Sequence, residues 1–175
     1  MKSRTSLLQF AILTLISCLR LSVKAGDEID VEVQKQVAEH QTLESKIEYL
    51  SSVISETNDL SDTFNARKAS AIALIGNIGG TNAINLLVTN ISFTDKRHNN
   101  SPASDALAKI GEPSVSELLN LFQNSSDSET LRRAAQTIAL IKGGAYREFI
   151  KEQRGKMPDE AWGKLSKAPV ITIIH

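Results

Sequence analysis

Residues 101–122, SPASDALAKIGEPSVSELLNLF, contain the pattern that decides the fold. Small and aliphatic side chains recur at helical spacing before Gly111 and again after Pro113, which predicts two helices joined by a corner. Ser101 followed by Pro102 is a strong helix start, because a capping hydroxyl precedes a residue that has no backbone N–H to leave unpaired. The stretch therefore predicts a unit of helix, corner and helix, and it holds no reactive group of residues.

The same unit recurs along the chain at an interval of 32 residues. Three columns share this interval: Gly79, Gly111 and Gly143; Ala71, Ala103 and Ala135; and Leu86, Leu118 and Ile150. Small residues recur where helices must approach closely, and larger aliphatic residues recur where a core must be filled. Intervals of about 20 to 50 residues are typical of solenoids. The sequence therefore predicts an all-α solenoid of about three to four helix pairs.

The corner sequences carry a resemblance to a known family. They read LIGNIG at residues 74–79 and LAKIGEP at residues 107–113, while RRAA at residues 132–135 begins a third helix. These residues resemble the HEAT repeat, in the short form found in phycobilisome-lyase-type HEAT proteins, over residues 62–150. The resemblance implies an armadillo/HEAT-like superhelix, and in this chain it follows a predicted secretion signal.

Residues 1–25 have the composition of that signal. Two basic residues precede an apolar run over residues 7–19, and small residues precede Gly26, so we expect cleavage before Gly26. The apolar run is shorter than the roughly 20 residues that a membrane span needs. The alternative is a lipoprotein, because LISC at residues 15–18 resembles a lipobox in which Cys18 is acylated. We expect a secreted or periplasmic protein with no membrane contact unless Cys18 is lipidated.

Removing 25 of the 175 residues leaves 150, which suffices for the core of one domain. The signal holds the only cysteine, so the mature chain has no thiol catalysis and no cysteine-based zinc site. It also holds four of the 20 basic residues and no acidic residue, which leaves a net charge of −4. That charge argues against nucleic acid as a partner.

The sequence predicts four segments: a signal peptide (1–25), an N-terminal helical cap with the first repeat helix (26–60), the HEAT-like repeats (61–155), and a short C-terminal helix with a β-prone tail (156–175). The second segment has apolar residues at helical spacing. Ser45 with Glu48 predicts a capping box that divides it into two helices, and a single long helix or a dimerising coiled coil are the alternatives.

Further start signals precede the repeat helices. Thr81 is a candidate cap for the helix after Gly79, and two more capping boxes are predicted at the pairs Ser114 with Glu117 and Ser126 with Glu129.

None of the histidines His40, His98 and His175 has a partner at metal-ligand spacing, so we expect no metal, no other cofactor and no enzymatic activity. Asp95 and Asp127 lie 32 residues apart, five residues before Asn100 and Arg132. In HEAT proteins such columns form a ladder of aspartate and arginine between repeats, and the resemblance implies one here.

Polar residues on the repeats form a candidate protein-binding surface, which we call the concave strip and assign to the second helices of the repeats. Its members are Lys68, Asp105, Lys109, Arg132, Arg133 and Gln136. The mixed signs of charge favour recognition of a protein over recognition of phosphate. We therefore expect a non-catalytic scaffold for an unidentified protein partner. The alternative is an accessory enzyme or cofactor-handling protein related to chromophore-lyase-type HEAT proteins.

Overall fold

The structure is a computed structural model, and it describes residues 28–56 and 62–168, with side chains from residue 65 onward in the second range. These residues form helices, short 3-10 turns and two isolated β-bridges, and they contain no strand. The predicted all-α class is thereby confirmed. The helices are α1 (28–39), α2 (Leu43–Ser55), α3 (Asp62–Ile78), α4 (Gly80–Thr89), α5 (Pro102–Ile110), α6 (Val115–Asn124), α7 (Ser128–Lys142), α8 (Tyr146–Gln153) and α9 (Asp159–Lys167).

The three glycines of the 32-residue column end α3, α5 and α7 in the same way. Their φ angles are 70° at Gly79, 80° at Gly111 and 53° at Gly143, a region that side chains with a Cβ atom rarely adopt. Each glycine N–H donates to the carbonyl four residues earlier, on Ile75, Leu107 and Ala139 respectively. The predicted glycine corners are therefore confirmed.

Helices that lie two apart in the chain contact each other. α3 contacts α5 and α5 contacts α7, while α2 contacts α4 and α4 contacts α6. We call α3, α5 and α7 the odd row and α2, α4 and α6 the even row. The chain crosses from one row to the other at each connection, and α9 packs against α6 and α7.

One cluster of buried side chains extends from Val33 in α1 to Leu165 in α9. The alanines of the repeat column, Ala71, Ala103 and Ala135, are 0% exposed. Small residues at these positions let the helices approach closely, and large neighbours fill the remaining space. The largest buried members in the repeats are Ile72, Ile75, Leu87, Ile91, Leu107, Leu118, Phe122 and Ile138.

The N-terminal region divides into two helices, as one of the sequence interpretations predicts, and the break lies at residues 40–42. The predicted cap is wrong by three residues. Thr42 caps α2 by accepting from the backbone N–H of Ser45, and the Ser45 hydroxyl accepts from the N–H of Thr42 in return. Ser45 is therefore the inner member of the capping box, and Glu48 is not part of it.

Three other predicted caps are also wrong. Gly79 precedes α4 without a side-chain cap, and Thr81 lies inside the helix. Ser114 ends a 3-10 turn, where its hydroxyl donates to the carbonyls of Leu107 and Gly111. At α7 the cap is Asp127, whose carboxylate accepts from the N–H of Thr130 at 2.7 Å. The predicted cap at Ser101 is confirmed, with Pro102 as the first residue of α5.

The predicted short C-terminal helix corresponds to α9, in which Leu165 is 1% exposed. The predicted signal peptide, the alternative lipobox at Cys18 and the predicted β-prone tail after Ala168 lie outside the described residues. Within the part of the chain that the structure describes, every helix is too short or too polar to cross a membrane.

Candidate functional site

The six residues of the concave strip all belong to the odd row. Lys68 lies on α3, Asp105 and Lys109 lie on α5, and Arg132, Arg133 and Gln136 lie on α7. These are the helices that precede the glycine corners, and they are the second helices of the pairs α2–α3, α4–α5 and α6–α7. The three helices contact one another in sequence, which brings the six residues onto one row.

The strip residues differ in how much they are exposed. Asp105 and Lys109 are exposed, whereas Arg132 and Gln136 are partly buried. The side chain of Arg133 is only 13% exposed, so it contributes little surface. Lys68 lies 5.1 Å from the ring centroid of Phe93, and burial lowers the pKa of its ammonium group. Asp105 and Lys109 therefore form the accessible centre of the strip.

Glu129 organises the charges of α7. It accepts hydrogen bonds from Arg132 at 2.6 Å and from Arg133 at 2.6 Å. The hydrogen bond from Arg132 is the largest influence on Glu129, and together the two guanidinium groups overcome partial burial and lower its pKa to about 2. Arg133 also donates to the hydroxyl of Thr94 at 2.8 Å, so its role is to hold the loop before α5 against α7.

Asp95 is 3% exposed and organises that loop. Arg97 donates to both of its carboxylate oxygens, at 3.2 and 3.1 Å, and Nδ1 of His98 lies 3.1 Å from Oδ2. Burial disfavours the charged carboxylate, yet these hydrogen bonds outweigh burial and lower the pKa of Asp95. Because Asp95 bonds within its own loop and Asp127 caps its own helix, the predicted ladder of aspartate and arginine between repeats is wrong.

The same loop fastens α1 to the repeats. Arg97 lies 3.5 Å from the carboxylate of Asp30 on α1, and the hydroxyl of Ser70 on α3 donates to the same carboxylate. Val33 is 1% exposed and anchors the helix in the core. Among the described residues, α1 is thus tied to the loop by an ion pair and to α3 by a hydrogen bond, and Val33 adds its apolar contacts.

A groove of about 410 Å³ lies over α3, which we call the polar groove. It is bounded by α1, by α5 and by the loop of residues 95–100. Its lining includes small residues of α3 (Ala69, Ala73 and Gly76) and polar residues from the other elements (Asp30, Gln34, Asp95, Arg97, His98, Asn100, Asp105 and Lys109). Sequence reasoning missed the groove, because its walls come from three separate parts of the chain.

Asp105 and Lys109 line the polar groove one helical turn apart, and each is bound by an asparagine. Asn100 Nδ2 donates to Asp105 Oδ2 at 2.6 Å, and Lys109 Nζ donates to Asn77 Oδ1 at 2.9 Å. Among the described residues, neither side chain has an oppositely charged group within 4.0 Å. The groove therefore presents one carboxylate and one ammonium group that no ion pair neutralises.

Comparisons with protein-family models, with curated proteins and with solved structures found no match for this chain. Functional proposals for it therefore rest on its residues and their geometry. Among the residues that the structure describes, no three histidine, cysteine, aspartate or glutamate side chains group together in a way that would hold a metal ion.

Proposed function

We propose that this chain is a short α-solenoid of HEAT-like helix pairs, exported to the cell envelope, that acts as a non-catalytic scaffold and binds a protein through its odd row. The order of helix contacts supports the solenoid, because each helix of a row packs on the next helix of that row. The matching glycine corners support a true repeat of 32 residues.

The observation that carries the binding proposal is the accessible pair Asp105 and Lys109 at the middle of the odd row. An exposed charge that has no ion partner within its own fold remains able to pair with a charge on another molecule. The two opposite charges lie one helical turn apart, and such a mixed pattern is more suited to binding a protein surface than to binding a run of phosphates. Arg132 and Gln136 extend the same surface onto α7.

The odd row is also fixed against deformation by polar contacts between its helices. Ser104 on α5 lies 2.6 Å from Thr137 on α7, hydroxyl to hydroxyl, and Lys109 on α5 bonds Asn77 on α3. A surface whose helices are held in this way loses little conformational freedom on binding, which favours affinity.

Site-specific crosslinking tests the proposed surface. A photoreactive side chain at position 105 is expected to capture a defined protein in the envelope of the native host. The same group at Ser116, an exposed position on α6 of the even row, is the matched control and is expected to capture none. Equal capture from both positions, or none from position 105, contradicts the proposed surface.

Exchanging the charges at positions 105 and 109 gives a second test of the surface. The double variant Asp105→Lys with Lys109→Glu keeps the net charge and the helical spacing but inverts the pattern, so partner capture should be lost. The unfolding temperature should fall only slightly, because the hydrogen bonds that the variant removes are exposed. Reversing Arg132 and Arg133 together is a poorer test, because Arg133 bonds Thr94 and Glu129 inside the fold.

Mass spectrometry of the mature amino terminus tests export. The proposal expects Gly26 as the first residue, and an acylated Cys18 would replace this by a lipoprotein anchored to the membrane.

A further inference from the structure

The polar groove has the size and the shape of a site for a small molecule. Its volume of about 410 Å³ falls in the range of roughly 300–1,000 Å³ that ligand pockets occupy. Ala69, Ala73 and Gly76 contribute little side-chain bulk over α3, so open space remains between α1 and α5. The polar groups around this space then determine which functional groups of a ligand can bind there.

Opposite charges four residues apart on a helix surface normally pair with each other. Asp105 and Lys109 have this spacing, yet each is bound by a separate asparagine instead. Their Cβ atoms are about 5–6 Å apart at this spacing. The wall of the groove therefore carries a negative and a positive site whose separation is set by α5.

The other charged side chains at the groove contact one another. Arg97 lies between the carboxylates of Asp95 and Asp30, and His98 bonds Asp95. Among the described residues that line the groove, Asp105 and Lys109 are thus the charged groups without an ion pair.

The two asparagines lie beside these charged groups. Asn100 Oδ1 is a buried acceptor that has no hydrogen-bond partner among the described residues. Such a buried acceptor is unfavourable, but it has almost no accessible surface, so the acceptor that a ligand N–H meets at this end of the groove is the Asp105 carboxylate. Asn77 accepts from Lys109 through its carbonyl oxygen, which leaves its amide N–H groups to donate to a carboxylate.

We propose that the polar groove binds a small zwitterion, the size of a free amino acid or a dipeptide. The ligand ammonium lies at Asp105, and the ligand carboxylate lies at Lys109 and Asn77. A dipeptide fits this separation, since two extended residues span at most about 7 Å. This inference goes beyond the proposed scaffold function, although the two share Asp105 and Lys109.

Calorimetric titration of the purified protein with L-alanyl-L-alanine and with L-alanine tests the proposal. If only the dipeptide binds, the site recognises the two free termini of a short peptide. If alanine binds as well, it is a site for an amino acid. N-acetyl-alanyl-alanine lacks the ammonium and alanyl-alanine amide lacks the carboxylate, so each is expected to bind at least about tenfold more weakly, as for loss of one charge-assisted hydrogen bond.

Variants assign the two ends of the ligand. Asp105→Asn keeps the shape and should remove the preference for the free amine over the acetylated peptide, and Lys109→Met should remove the preference for the free carboxylate over the amide. Lys151→Met, at an exposed ion pair on α8, is the matched control and should bind like the parent.

Two results overturn the proposal: no binding of either ligand at millimolar concentration, or binding that neither groove variant changes. A separate variant tests the scaffold proposal. Arg132→Glu lies outside the groove lining, so it should weaken a protein partner while leaving alanyl-alanine binding unchanged.

Discussion

A Cβ atom added to Gly76 on α3 would overlap the Cβ of Ala106 on α5. The two helices therefore meet at a point where one of them has no side chain at all. This contact joins the first two helices of the odd row, and it also leaves the floor of the polar groove open.

Gly76→Ala should destabilise the protein by about 1–3 kcal/mol in free energy of unfolding, because the added methyl overpacks the contact with Ala106. This loss runs against intrinsic helix propensity, which favours alanine over glycine by about 1 kcal/mol. Urea denaturation measures the difference. Gly163→Ala on α9 is the matched control, since a Cβ there meets no atom within 4 Å and should stabilise the helix slightly. If both variants gain stability, α3 and α5 do not approach as described.

Gly143→Ala should cost about 1–2 kcal/mol, because φ is 53° at this corner and a Cβ atom is strained there. The neighbouring Gly144 has no positive φ and has open space around it, so Gly144→Ala should leave the free energy of unfolding nearly unchanged. Thermal or urea unfolding of the two variants gives the comparison. Equal effects at both positions would refute the left-handed corner.

Much of this architecture follows from local sequence signals. The spacing of small and aliphatic residues predicts the repeat helices, and glycine at an interval of 32 residues predicts their ends, because both effects act within a few residues of the chain. The choice of helix cap is less local. Thr42 and Ser45 are both suitable caps, and Ser114 is drawn to the carbonyl of Leu107 by the 3-10 turn.

The candidate site was harder to predict, because side-chain direction depends on tertiary packing. Lys68 and Arg133 are residue types that are common on binding surfaces. In the fold, however, Lys68 packs over the ring of Phe93 and Arg133 donates to Thr94, so both bind within the protein. The polar groove forms where Asp30 on α1 lies beside a loop that begins 65 residues later in the chain. No repeat in the sequence links those two places.

Ala103→Asp should destabilise the protein by at least about 3 kcal/mol, because Ala103 is 0% exposed and its neighbours offer an apolar environment for the new carboxylate. Ala73→Asp on α3 is the control, since Ala73 is exposed and should tolerate the charge. Circular dichroism during thermal unfolding checks both. A parent-like transition for Ala103→Asp would contradict burial of the repeat column.

Acid should destabilise the protein partly through Glu129, whose pKa is lowered to about 2 in the folded state from 4.5. A carboxyl with a depressed folded pKa contributes stability above its unfolded pKa, and this contribution disappears as the pH falls from about 4.5 towards 2. Glu129→Gln should therefore reduce the loss of stability across this range. The effect should be modest, because the side chain is 42% exposed and water screens its ion pairs.

Urea midpoints at several pH values between about 5 and 2 measure this dependence. Glu148→Gln removes the acid of an exposed ion pair on α8 and is the matched control. If the two variants show the same pH dependence, the two arginines do not hold Glu129 in the folded state.

A disulfide between α5 and α7 tests the stacked odd row most directly. The hydroxyls of Ser104 and Thr137 lie 2.6 Å apart, so cysteines at these two positions, with Cys18 replaced by serine, should form an intramolecular disulfide on mild oxidation. The account predicts a crosslinked monomer with the parent's helical content and a higher unfolding temperature. Free thiols after oxidation, or crosslinks only between molecules, would contradict the stacking of α5 on α7.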